Sequence, residues 1–426
     1  MTRRTAVAWC TAAVILLSAS GCVQAGGAGP SLPGGRTAGA GGASANSTSA
    51  APAPQPRPAW FQSLQMTSAT SGWALLWSAN PGVIAGNAHI LLAQTTDGAR
   101  TWSDVTPAAA RPMLATPYSY QALDAVDGDH AYLAVSRAAA DGGPVSTTAV
   151  FATADGGRSW TESAAFTTSA PAAGVSFADA SHGWLLLSPV FNAPGQPVTW
   201  LYRTSDGGLR WSPAATVAPR GNYGINSFCR PLSLTMATAA TGWVSIGCRA
   251  RDEFLVSHDG GGSWAAQPLP LPGGTLGVPS GPAFLTGPQF AGGTGYLTVA
   301  PLPPGNPSLL GSQDRGQTWQ PLPLPSGAGQ YPQVKFFTSA DGVLVAAGPQ
   351  QALGPVFYLT ADGGKTWTPV RQGTHFTEYG EAIDFASKQA GFAWNSGGDT
   401  AGTVPLYATT DSGRTWHPFV PHLTAG

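Results

Sequence analysis

The chain has 426 residues, of which 10% are charged, with 56 glycines, 38 prolines and a formal net charge of -1. Soluble domains usually carry about 25% charged residues, so charge-laced helical bundles are excluded and many short strands joined by turns are expected. No Lys/Arg cluster forms the positive footprint that nucleic acid requires, which excludes that class of partner.

In chain order, Arg3 and Arg4 precede an apolar run from Ala6 to Leu17, too short to span a bilayer as a mature helix. This is the build of a signal peptide. The run leads into Ala19-Ser20-Gly21-Cys22, which resembles a bacterial lipobox. That resemblance implies removal of residues 1–21 and acylation of Cys22, giving a membrane lipid anchor. The other reading is an ordinary cleaved signal peptide and a secreted protein; both place the chain outside the cytoplasm. Residues 22–59 read as a tether: from 23 onward there is no aromatic residue, and Gly, Ala, Ser, Thr and Pro dominate. Such a segment buries too little apolar surface to offset its chain entropy.

From Trp60 to residue 424 one pattern, Ser/Thr-x-Asp-x-x-x-Ser/Thr-Trp, is expected to organise the whole domain. It begins at Thr95, Thr153, Thr204, Ser257, Ser312, Thr360 and Thr409; the third copy carries Arg210 at its seventh place. The aspartates are Asp97, Asp155, Asp206, Asp259, Asp314, Asp362 and Asp411, separated by 58, 51, 53, 55, 48 and 49 residues. That spacing suits one four-stranded blade per copy. Asp followed by glycines makes a tight turn whose carboxylate accepts backbone N–H groups. Seven of 15 tryptophans and seven of 17 aspartates are used in this way, so they read as a folding device rather than as catalytic acids or metal ligands. Ala99 replaces a glycine in the first copy and Arg210 replaces Ser/Thr in the third, so these two turns are expected to be the least regular.

The copies resemble the Asp-box, or BNR repeat, of sialidases, sortilin-type receptors, xyloglucanases and photosystem II stability/assembly factor-like proteins. The resemblance implies an all-β fold, a seven-bladed β-propeller of four-stranded antiparallel blades. A second signature stands 17 to 25 residues before each box aspartate: Gly72-Trp73, Ala131-Tyr132, Gly183-Trp184, Gly242-Trp243, Gly295-Tyr296, Gly342-Val343 and Gly391-Phe392. Boxes alternating with Gly-aromatic strands match the assembly factor-like branch best.

Up-and-down connectivity sorts the loops. If the box turn joins strands three and four, the turn between strands one and two shares its face, and the remaining loops lie opposite. Those loops vary most, and span Ser78 to His89, Ser136 to Thr147, Ser188 to Thr199, Pro213 to Phe228 and Arg371 to Gly380. Binding is expected there. In blade 4, Cys229 would open the first strand and Cys248 close the second, opposite one another in a hairpin turning at Ala237 to Thr241. In an exported protein that arrangement is expected to form a disulfide. Around it stand Arg220, Tyr223, Arg230, Arg249 and Arg251, suited to gripping a carboxylate or a protein, or else a solvated rim neutralised by Asp252 and Glu253. A second polar loop holds Arg371, His375, Glu378, Tyr379 and Glu381.

Glu378 and Glu381 read as an exposed charged loop, or as a glycosidase acid/base pair if about 5–9 Å apart across a sugar. The Arg-Ile-Pro motif of sialidases is missing, as are a Gly-x-Ser-x-Gly elbow, zinc spacing and a phosphate loop. No cofactor or metal is expected. The sequence reading is a monomeric, non-catalytic binding or assembly module for an envelope protein or glycan; the alternative is a sialidase-like glycoside hydrolase with non-standard catalytic residues.

Overall fold

The computed structural model describes residues 57–78, 89–115, 119–138, 145–163, 170–188, 199–217, 229–248, 252–271, 274–275, 283–301, 306–329, 331–347, 355–371, 381–395 and 406–424. Cys22, the signal segment and all of the tether before Arg57 lie outside them. Seven blade sheets follow one another along the chain, six of four antiparallel strands and one extended to six, and a two-stranded ladder of Pro270–Leu271 with Gly274–Thr275 follows blade 4. The first strands are Trp60–Met66, Ser119–Ala125, Ala172–Phe177, Cys229–Met236, Ala283–Ala291, Gln333–Phe336 and Glu381–Phe385. Each sheet runs outward in chain order from its first strand; in blade 4 this gives Cys229–Met236, Gly242–Cys248, Glu253–Ser257 and Ala265–Ala266. First strands of successive blades meet, through the Gln121 to Gln62 bond between blades 1 and 2 and the Lys335 to Asp384 bond between blades 6 and 7, and that of blade 7 touches that of blade 1, which closes a ring of seven blades.

Ring closure uses both ends of the domain. His422–Thr424 lies parallel to the outer strand of blade 1, and Arg57–Pro58 pairs antiparallel with His422 and Leu423. Ordered pairing thus begins three residues before Trp60, within the segment that composition alone groups with the tether.

The core lies between blades. One cluster joins Trp73, Leu75 and Leu92 of blade 1 to Leu133, Val135 and Phe151 of blade 2, and another joins Trp243 and Phe254 to Leu297, Leu310 and Trp319. Alternating side chains serve opposite neighbours, as strand geometry dictates. The glycine before each aromatic is explained by cross-strand space. A Cβ on Gly391 would stand 2.6 Å from the ring of its partner Phe385, and one on Gly342 2.7 Å from Phe336. Blade 2 carries Ala131 there, and its partner is the small Ala125.

Outer strands are short, and Pro213, Pro321, Pro369 and Pro418 sit in four of them. Proline removes a donor from an exposed edge and so discourages further strand pairing. Apart from blade 1, the outer strands begin one residue after the box tryptophan rather than on it. Two further details depart from the sequence expectation. Ser136 and Thr147 are strand residues, since the pairing of Ala131–Ala138 with Val145–Thr153 continues to Ala138. Pro213 to Val217 likewise belong to the outer strand of blade 3. A single helical turn, Arg111–Leu114, follows blade 1 and buries Met113 and Leu114, while Arg111 makes two 3.1 Å bonds to Asp104.

Candidate functional site

The seven box turns are built alike. The first hydroxyl donates to the aspartate at 2.7 to 3.0 Å and accepts the fifth residue's N–H at 2.7 to 3.1 Å. The seventh residue's N–H returns to the same carboxylate at 2.8 to 3.0 Å. Its hydroxyl adds a bond in six boxes; Arg210 leaves blade 3 without one. The first box, expected to be irregular, keeps every bond because Ala99 adopts φ 66. Hydroxyl and N–H of the seventh residue hold Asp155, Asp314 and Asp362 at about 2; for Asp259 the Ser263 N–H leads, with the same result. These carboxylates are occupied by the turn. Arg210→Thr should restore the missing bond and raise stability by about 0.5–1 kcal/mol, read as a higher urea midpoint; an unchanged midpoint would show that the hydroxyl adds nothing.

Boxes also lock onto the turn between strands one and two of their own blade. The fourth box residue donates its N–H to that turn in six blades, as in Gly156 to Asp129 O at 3.0 Å and Gly260 to Ala240 O at 2.8 Å. Both turn classes therefore share one face, as connectivity required, and the longer loops share the other. Aromatics of the second signature tie this face across blades: Trp73 Nε1 donates to Asp127 O, Tyr132 Oη to Ala180 O, Trp184 Nε1 to Gly260 O and Tyr296 Oη to Ser339 O.

A feature missed from sequence lies on the inner strands. Directly opposite the seven signature positions stand Gln65, Asp124, Ser176, Thr235, Gln289, Lys335 and Asp384. Five of them cap a backbone N–H on the first strand of the following blade: Gln65 takes Ala125 N, Asp124 takes Phe177 N, Ser176 takes Met236 N, Gln289 takes Phe336 N, and Asp384 takes Met66 N across the ring closure. Lys335 donates to Asp384 at 2.5 Å. An inner strand has a free edge, and this belt satisfies it from the neighbouring blade. Burial pushes the Asp124 carboxyl up to about 6, against the opposing Phe177 N–H. The signal was available: a polar residue stands seven or eight places before every signature aromatic position.

Of the residues expected to form the site, Arg220, Tyr223, Arg249, Arg251, His375, Glu378 and Tyr379 lie outside the described residues. Arg230 and Glu381 are placed on the first strands of blades 4 and 7, with no described side chain. Arg371 is exposed just after blade 6. Asp252 and Glu253 are buried, at 2% and 6% exposure, so these two carboxylates are not solvated. Cys229 and Cys248 are register partners on the backbone, as the hairpin predicts; their side chains are not described. The structure brings together only the blade 4 strand ends. Four propeller tryptophans belong to neither repeated motif, and all four sit at loop-face strand ends: Trp60, Trp77, Trp200 and Trp394. Among the described residues no group of His, Cys, Asp or Glu could hold a metal ion, and no helix is long and apolar enough to cross a membrane.

No protein-family model and no curated protein matches the chain by sequence. Solved structures do. A structure of YCF48 bound to D1 peptide aligns with TM-score 0.39 and 14% identity, covering 70% of this chain and 84% of that one. The GH74 enzyme of Niastella koreensis gives TM-score 0.50 and 17% identity over 85% of this chain and 54% of that one. A prolyl endopeptidase gives 0.53 and 11%, over 86% and 50%. The chain thus spans about half the length of the two enzymes. At these identities the likeness is one of fold, and the chain is a seven-bladed β-propeller resembling the Asp-box propellers.

Proposed function

We infer that the chain is an exported propeller, tethered to a membrane through acylated Cys22, which binds an envelope protein or glycan with its loop face and does not transform it. The observation carrying this reading is the contrast between the faces. One is taken up by a repeated set of turn bonds that leaves its aspartates occupied, while the long, dissimilar loops and the spare tryptophans collect on the other. Rigid scaffolds commonly carry function on such loops.

The same reading pairs Cys229 and Cys248 in a disulfide. Directly opposite residues in antiparallel strands have Cα atoms about 4.5–5.5 Å apart, inside the span of about 4.4–6.8 Å that a disulfide bridges. The bond would pin the blade 4 hairpin where Arg220, Arg249 and Arg251 lie close in sequence.

The test is capture from detergent-solubilised envelope on the whole chain, beside a variant with Arg220, Arg249 and Arg251 changed to Ala. A partner held by the first and lost by the second supports protein binding at blade 4. Capture by neither form, with no envelope glycan bound, removes the reading. Glycan hydrolysis by the whole chain, abolished by Glu378→Gln, would replace binding with catalysis.

A further inference from the structure

The seam between blades 6 and 7 is held by charge in both directions. Lys335, on the first strand of blade 6, donates to Asp384 of blade 7 at 2.5 Å. Lys388, in the turn between strands one and two of blade 7, donates to Asp341 in the matching turn of blade 6, also at 2.5 Å. Each blade thus supplies one lysine and one aspartate. Among the described residues these are the ion pairs that join different blades; the others lie within a blade or between a blade and the turn that follows it. At other seams the same two places are filled by hydrogen bonds to backbone. On the box face Trp73, Tyr132, Trp184 and Tyr296 each reach a carbonyl of the next blade, whereas blade 6 has the apolar Val343 at that position. In the belt Gln65, Ser176 and Gln289 accept a backbone N–H of the next blade, but an ammonium has no acceptor, so Lys335 cannot.

We propose that this seam is an ionic-strength-sensitive clasp, whose belt and box-face rims loosen as salt rises while its apolar core and the other seams hold. The side chains of Lys335 and Asp384 are 41% and 18% exposed, and those of Lys388 and Asp341 26% and 39%, so ions of the medium reach both pairs. The screening length falls from about 10 Å at 0.1 M salt to about 3 Å at 1 M. Hydrogen bonds between an indole or phenol and a carbonyl carry no net charge and escape this screening. Val343, Phe357, Phe385 and Trp416 form the core behind the pairs, and its burial is not an ionic interaction. Asp384 also keeps its other oxygen on Met66 N of blade 1, so the ring stays closed. The connection from Thr368–Pro369 to Glu381–Phe385 joins the two blades across this seam, with Arg371 near its start, so the clasp sets how firmly the two ends of that loop are held together. This holds whether or not the loop face binds a partner.

Hydrogen exchange of the whole chain, read by mass spectrometry in about 0.1 M and about 1 M NaCl at pH 7, tests the clasp. Peptides spanning 333–347 and 381–395 are expected to exchange about threefold faster in the higher salt, while those spanning 119–138 and 172–187 keep their rates. Lys335→Met with Lys388→Met removes both charges and keeps the stems, so the seam should exchange fast already in low salt and no longer respond. Lys388→Asp alone places like charges across the box-face rim; exchange there should be fast in low salt and slow as salt screens the repulsion, the reverse of the wild type. Asp341→Lys combined with Lys388→Asp should restore the wild-type direction. Should the methionine variant lose its fold by circular dichroism, the reversal and its restoration decide. Equal seam rates in both salts, equal acceleration in every blade, or an unchanged salt response in the folded variants overturns the clasp.

Discussion

Gly157→Ala is expected to cost about 3 kcal/mol of folding stability, while Ala99→Gly, at the same place in another box, should change it by less than about 1 kcal/mol. Gly157 has φ +79, and a Cβ there would stand 2.7 Å from Val105 Cβ and 3.0 Å from Val105 Cγ2. Val105 is branched and its carbonyl accepts Trp160 Nε1 at 2.8 Å, so it is poorly placed to yield. Left-handed backbone costs an L-residue about 1–2 kcal/mol and overpacking about 1–3 kcal/mol; both apply. Ala99 already has φ 66 and is fully buried with Phe61, Trp102 and Phe392 at the blade 7 seam. Glycine there relieves the backbone but loses a buried methyl, and the two changes offset. Urea unfolding of the three proteins checks this. Equal midpoints for wild type and Gly157→Ala would show that the box turn does not pack tightly against the preceding blade.

Stability should be greatest near about pH 4, falling below it and declining between about pH 4 and pH 6 for different reasons. The box aspartates are depressed in the folded state. Their contribution is complete above the unfolded value of 3.8 and disappears as pH falls toward about 2, the folded value of Asp155, Asp259, Asp314 and Asp362. Asp124 behaves in the opposite sense. Burial raises it from 3.8 to about 6, so the folded state binds its proton more tightly than the unfolded state. That contribution is complete below pH 3.8 and is lost as pH rises through 6. Asp124→Asn should therefore raise stability at pH 7 by about 2 kcal/mol and flatten the decline between about pH 4 and pH 6. The substitution keeps an oxygen to accept Phe177 N. Melting midpoints of both proteins from pH 3 to pH 8 provide the measurement; parallel profiles between about pH 4 and pH 6 would show that Asp124 is not the titrating group.

The repeats made the fold legible because each blade needs the same local device. A hydroxyl, an aspartate and two residues in left-handed backbone close a turn within eight positions, so they recur at fixed offsets whatever surrounds them. Strand order, blade number, the common face of both turn classes and the opposition of Cys229 to Cys248 follow from that recurrence. The belt from Gln65 to Asp384 was equally periodic. Its members that reach the next blade, Gln, Asp, Ser and Lys, share that ability and no common identity.

What the tertiary structure alone decided are contacts between segments remote in the chain. Ala99 fits as well as glycine because its neighbour is blade 7, and Asp384 caps Met66 across the ring closure. His422–Thr424 settles against the outer strand of blade 1. Gln121 donates to Gln62, 59 positions away, across the seam of blades 1 and 2. Local sequence specifies a turn through neighbours a few bonds away, whereas the value of a buried N–H or a spare methyl depends on which blade lies against it.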